Sequence, residues 1–146
     1  MLRNAKLKER FVDVWLVDLA FDAKALGVFL TTLSDQELAL KFEVSPYGKP
    51  YLGNASLFFN ISHSGDCLLV AVSDVESIGV DIELIKSKRN LVGVAKRCFS
   101  VDELNFWCDL PEGVRVEVFY QFWVRKEAFV KAVGRGIALG LDLCEL

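Results

Sequence analysis

Histidine is almost missing from this sequence: His63 stands alone, and the four cysteines, Cys67, Cys98, Cys108 and Cys144, form no Cys-x-x-Cys pair. Zinc is held by sulfur and nitrogen ligands at short, regular spacings, so the composition argues against a zinc centre. Cys67 and Cys144 lie in apolar runs and read as small core residues. There is no apolar span long enough for a membrane helix, and Met1 to Arg10 is polar rather than signal-like. A reduced, cytoplasmic protein with no membrane partner is therefore expected. Nor is there a basic excess: the net charge of −3 gives no footprint for a nucleic-acid surface. Repeats, linkers and low-complexity stretches are lacking too, which argues for one compact unit.

What is present is a core. Apolar residues make up 53% of 146 positions, with eleven Phe and three Trp spread along the chain, enough for one domain, built from two small lobes at most. Phe11 to Leu19 is β-branched and aromatic and predicts a strand. Phe21 to Leu33 reads as a helix, and Ser34-Asp35-Gln36-Glu37 as a capping box opening another to about Phe42. Ser45 to Pro50 is a loop by its turn residues. Ser56 to Ser62 and Cys67 to Ser73 predict a hairpin joined through His63-Ser64-Gly65-Asp66, with Ser77 to Leu84 as the next strand of a three-stranded meander. Asn90 to Cys98 looks helical, and Ser100-Val101-Asp102-Glu103 is a second capping box starting a helix to about Cys108. Val114 to Val133 carries the longest helical pattern, closed by Gly134; Phe119, Phe122, Val130 and Val133 share a face expected to pack on the sheet. The class is α+β, an antiparallel sheet against a long helix.

Two segments carry most of the chemistry. In Ile78-Gly79-Val80-Asp81-Ile82-Glu83, extended geometry projects Asp81 and Glu83 to one side, and Gly79 permits close approach of a backbone or ligand. In Trp123-Val124-Arg125-Lys126-Glu127-Ala128-Phe129-Val130-Lys131, Glu127 and Lys131 lie one turn apart on a helix. Either pair alone reads as ordinary surface charge. If the two faces meet, three carboxylates repel one another unless a hard divalent cation joins them, and oxygen-only ligands suit magnesium. Lys126 projects between Phe122 and Val130 on the apolar side; it either snorkels to water or needs an anion from the protein or a ligand. His63, with Ser62 and Ser64 beside it, is structural or holds a phosphate oxygen, and Lys49 on a stiff Gly-Lys-Pro turn meets a phosphate or faces water. A basic run, Lys86, Lys88, Arg89, Lys96 and Arg97, is a solvated face or a docking patch.

The order of these motifs is more specific than any one of them. Gly48-Lys49-Pro50, Asn60-Ile61-Ser62-His63-Ser64, Gly79-Val80-Asp81-Ile82-Glu83, Phe99-Ser100-x-x-Glu103 and Trp123-Val124-Arg125-Lys126-Glu127-Ala128-x-x-Lys131 occur in succession. From about Tyr47 to Leu141 the chain resembles the 4'-phosphopantetheinyl transferase superfamily, in its larger, Sfp-like branch. The resemblance implies that fold in abbreviated form, with residues 1–75 as a shortened first lobe and 76–146 as a second lobe bearing the metal site. It implies transfer of phosphopantetheine from coenzyme A to a serine of an acyl or peptidyl carrier protein, releasing adenosine 3',5'-bisphosphate. By similarity Asp81, Glu83 and Glu127 hold Mg²⁺, and Glu127 or a metal-bound water takes the serine proton. Lys131 contacts the pyrophosphate, His63, Ser62 and Lys49 the phosphates, and Lys126 helps hold that charge. Residues around Phe99 to Trp107 lie near the carrier, and the basic run docks it. Relatives in this branch are longer at both ends of the match, so either a second subunit covers the gaps as a homo-oligomer or the chain is a reduced relative. A non-catalytic binder of coenzyme A or of a carrier is the alternative; a metal-dependent phosphohydrolase is a third reading.

Overall fold

The computed structural model describes residues 12–18, 30, 41–53, 56–86, 90–135 and 140–144. The expected helices over Phe21 to Leu33 and from Ser34 to Phe42, and the basic residues Lys88 and Arg89, lie outside them, apart from helical Leu30 in the core and Phe42 in a strand. The described residues form five strands: β1 (Val12–Asp18), β2 (Phe42–Val44), β3 (Pro50–Leu52), β4 (Phe58–Ser64) and β5 (Cys67–Ser73). Helices α1 (Leu91–Cys98), α2 (Val101–Asp109) and α3 (Glu112–Val133) follow, then a 3-10 turn, Leu141–Leu143. The fold class is α+β, as the hydrophobic periods imply. No helix among the described residues is long and apolar enough to cross a membrane.

β4 and β5 form the expected hairpin, turned by Gly65-Asp66 with Gly65 at φ 58°. The third strand of this antiparallel sheet differs from the expected meander. β1 pairs along β5, giving the order β1-β5-β4, and residues 77–86 join no ladder among the described residues, with Ser77 in the left-handed region at φ 69°. β2 and β3 make a separate two-stranded hairpin across Ser45 to Lys49. Only three residues long and opened by a proline, β3 gives too short a pattern to register in sequence.

One sheet face is apolar: Phe59, Ile61, Leu68, Val70 and Val72 pack with Trp15, Val17 and Leu30. The other face of β4 carries Asn60, Ser62 and Ser64, and against it lies the extended 77–86 segment.

The helices build their own core. Phe119 and Phe122 of α3 pack with Leu91, Ala95, Phe99 and Trp107, the Phe99 ring 5.5 Å from Phe119 and 5.3 Å from Phe122. Val130 packs with Leu141 and Cys144, while Val133 is exposed. This corrects the expectation that these residues pack on the sheet. An extended segment bearing polar groups separates α3 from it, so the aromatic face turns to the helices instead.

The helix starts expected at Asn90 and Ser100 are in place. Asn90 Oδ1 accepts from the Gly93 amide, and Ser100 and Glu103 satisfy each other's backbone amides as a capping box. Gly134 ends α3 in the left-handed region at φ 75°.

Candidate active site

Segment 77–86 runs antiparallel along α3, and each contact follows from a residue type at a fixed spacing. At one end the Lys86 amide donates to the Tyr120 hydroxyl at 3.0 Å. Next the Trp123 indole donates to Glu83 Oε1 at 3.4 Å. Lys131 Nζ then sits 2.7 Å from Asp81 Oδ1. At the far end Gly79 lies so close to the helix that a Cβ would collide with the Ala128 carbonyl and the Ala132 amide, and would reach within 2.9 Å of the Ala132 Cα. Tyr120, Trp123, Glu127 and Lys131 recur at three- and four-residue steps and so form one stripe of α3. The approach at Gly79, where a side chain is missing, seats the segment on that stripe.

The extended segment and α3 thus face each other, and Glu127 feels the charges of Asp81, Lys131 and Glu83. Glu127 is half-buried, and its carboxyl is held above the usual carboxylate range by burial first and then by the negative charge of Asp81. Lys131 works the other way, and Glu83 adds a further upward push. Asp81 uses one oxygen for Ser62 and Lys131; its other oxygen, Oδ2, is buried with no hydrogen-bond partner among the described residues. A buried, unpartnered carboxylate oxygen is costly, and a hard cation is the ligand that would relieve it. Among the described residues, however, no three His, Cys, Asp or Glu side chains close into a ready-made metal cage.

Clefts of about 290 and 280 Å³ lie on either side of Lys49. The second is bordered by Asn60, Glu127 and Lys131 as well, so it opens beside the carboxylates. Lys49 Nζ donates to the carbonyls of Ile78, at 2.9 Å, and Ala132, at 3.2 Å, tying the turn to the end of α3. Burial lowers its pKa, and Glu76 partly restores it. His63 is exposed near the end of β4, on the same face as Phe59 and Ile61, and is not brought to the acid cluster.

Lys126 corrects one expectation. Its ammonium is completely buried, 2.7 Å from Glu103 Oε2, and donates to the carbonyls of Leu141, at 2.9 Å, and Cys144. The anion it needs comes from the protein, so it has no face left for a ligand phosphate. It locks α2 and the 141–144 turn onto α3, one residue from Glu127. Lys126→Met should cost about 3–5 kcal/mol, because it removes the cation beside the buried Glu103 carboxylate. Chemical denaturation measures this, and adding Glu103→Leu should recover part of the loss; an unchanged midpoint in the single variant would refute the account.

Asn60, Tyr120 and Trp123 are site-forming residues without a sequence signal of their own, and Ser64 bonds Glu83 rather than standing open for a phosphate oxygen. On β4 the available signal was a shared one, the polar alternation Asn60-x-Ser62-x-Ser64 opposite apolar Phe59 and Ile61, since a strand with one polar face must bond something there.

Residues 77–146 match the model of the 4'-phosphopantetheinyl transferase superfamily. The 4'-phosphopantetheinyl transferase HetI of a Nostoc species is 38% identical over 103 residues, covering 68% of this chain and 44% of that relative. Sfp of Bacillus subtilis, also a 4'-phosphopantetheinyl transferase, is 38% identical over 104 residues, covering 70% and 45%. The 4'-phosphopantetheinyl transferase AcpT of Salmonella typhimurium is 39% identical over 89 residues, covering 60% and 46%. The match thus spans less than half the length of these curated relatives.

Proposed function

The chain belongs to the 4'-phosphopantetheinyl transferase superfamily, and we propose on that premise that it transfers 4'-phosphopantetheine from coenzyme A to a serine of an acyl or peptidyl carrier protein. The observation that carries this reading is the meeting of Asp81, Glu83, Glu127 and Lys131 between the extended segment and α3. Asp81, Glu83 and Glu127 are the residues we assign to Mg²⁺. When bound, it supplies positive charge against the pyrophosphate as the phosphate–oxygen bond breaks.

The chain's own residues do the rest. Lys131, held by hydrogen bonds to Asp81 and Ser62, offers an ammonium to the pyrophosphate. Glu127 is a carboxylate made more basic by burial and by Asp81, which suits it to accept the serine proton directly or through water. Lys49, at the mouth of both clefts, and exposed His63 are assigned to phosphates at the nucleotide end. Ser62 is assigned to the same phosphates by resemblance, and its hydroxyl is bonded to Asp81 and Lys131. Exposed Lys86, Lys96 and Arg97 are the described part of the basic run assigned to carrier docking. The division into a first lobe over 1–75 and a second over 76–146 is part of the proposal, supported by the start of the family match at residue 77.

A second reading is a relative that binds coenzyme A or a carrier without transfer. Mass spectrometry of apo carrier proteins incubated with the protein, coenzyme A and Mg²⁺ separates the two. Transfer predicts a gain of one phosphopantetheine on the carrier. No gain across a panel, with coenzyme A still bound, would establish the binder. Coenzyme A consumed without any carrier would identify a hydrolase.

A further inference from the structure

Residues 80–84 are held along β4 with no partner strand among the described residues, and the side-chain bonds that do this repeat. Asn60 Oδ1 accepts from the Val80 amide at 2.8 Å. Ser62 Oγ accepts from the Ile82 amide at 3.3 Å, and Ser64 Oγ from the Leu84 amide at 2.8 Å. Alternate side chains of β4 thus meet alternate amides of the segment, matching the two-residue period of both. Each serine has a second bond: Ser62 donates to Asp81 Oδ1 at 2.7 Å, and Ser64 donates to Glu83 Oε2 at 3.1 Å. The same unit therefore occurs twice, a hydroxyl that accepts the amide of residue n+1 and donates to the carboxylate of residue n.

We propose that Asn60, Ser62 and Ser64 form a side-chain comb that positions Asp81 and Glu83 for a divalent cation, with Asn60 setting the register. The inference rests on reading the acid cluster as a cation site. A hydroxyl has one proton and two lone pairs, so it can satisfy one amide and one carboxylate oxygen together. A backbone carbonyl in a ladder cannot, because it has nothing to donate. The comb thereby fixes rotamer as well as register, and among the described residues it leaves Asp81 Oδ2 free of protein partners. A slip of the segment by one residue would turn both carboxylates to the opposite side.

Two measurements on the full chain test this. Amide hydrogen exchange should rise roughly tenfold at Leu84 in Ser64→Ala and leave Val80 unchanged, while Asn60→Ala should do the reverse. Mn²⁺ affinity in the presence of coenzyme A, read by electron paramagnetic resonance, should fall roughly 10–100-fold in Ser64→Ala and stay near the original in Ser64→Thr, which keeps the hydroxyl. Unaltered exchange at Leu84 in folded Ser64→Ala overturns the comb whatever the metal does. Altered exchange with unaltered Mn²⁺ affinity overturns its positioning role. If the unsubstituted protein binds no Mn²⁺ at all, the cation reading of the site fails, and positioning for a cation fails with it, while the exchange data still decide the comb.

Discussion

Glu127→Gln is expected to abolish carrier modification, lowering turnover roughly 10²–10⁴-fold, and to raise the melting temperature of the metal-free protein. The two effects have one cause. Burial makes the charge of Glu127 costly, and the negative charges of Asp81 and Glu83 add to that cost, so its folded pKa is raised. A carboxyl with a raised folded pKa binds its proton more tightly in the native than in the unfolded state. Its favourable contribution is complete below the unfolded pKa and is lost as pH rises through the folded one. At neutral pH the ionised side chain therefore destabilises the metal-free fold, and the neutral, similarly shaped amide relieves this. Activity has the opposite sign, since the ionised form is the one that can accept a proton or bind a cation; turnover should fall as pH drops through the raised pKa. Thermal melts with and without Mg²⁺, beside a carrier-loading assay, check both. The original protein should gain stability from Mg²⁺ and the variant little. A variant that melts lower and still loads carrier would overturn both roles.

Gly79→Ala should be nearly as damaging to activity by a different route. The added methyl would overlap the Ala128 carbonyl and Ala132 amide, backbone groups of a rigid helix that cannot step aside. The segment must lift from α3 instead, at about 1–3 kcal/mol for the overpacking. Lifting also separates Asp81 from Lys131, now 2.7 Å apart, and displacement on the order of 1 Å at a reacting centre can cost about 10²-fold in rate. Denaturation together with the loading assay would test this, and an alanine variant with unaltered midpoint and unaltered loading would refute the close approach. The Lys126→Met variant supplies a contrast, since its main loss should be stability, with the carboxylates' own partners left in place.

Much of the site is legible in the residues themselves. Extended geometry places Asp81 and Glu83 together, a helical turn joins Glu127 to Lys131, and a glycine in an apolar run suggests a close approach. Each inference uses only local periodicity, which side-chain chemistry and the backbone repeat dictate. The capping box at Ser100 and the β4–β5 hairpin are readable for the same reason, because their partners lie within a few residues. Family resemblance then points to phosphate chemistry, and the family match supports that assignment.

Non-local partners are a different matter. Ser77 to Leu84 has the composition of a strand, yet β1 takes the place beside β5, and serines and an asparagine on β4 bond the segment. Nothing in the segment itself distinguishes a backbone partner from a side-chain one. Lys126 announces that it needs an anion; only packing decides that Glu103, twenty-three positions earlier, is that anion rather than a ligand phosphate. The apolar stripe of α3 is plain, but the sequence does not say whether helices or sheet cover it. Thus the sequence by itself determined the residue chemistry and the face each group presents along its own element. Tertiary structure decided which faces meet, because that depends on the free energy of burying each surface against every alternative partner, a property no single segment contains. For this protein it laid the acid segment on α3, and it moved one lysine out of the site into the core.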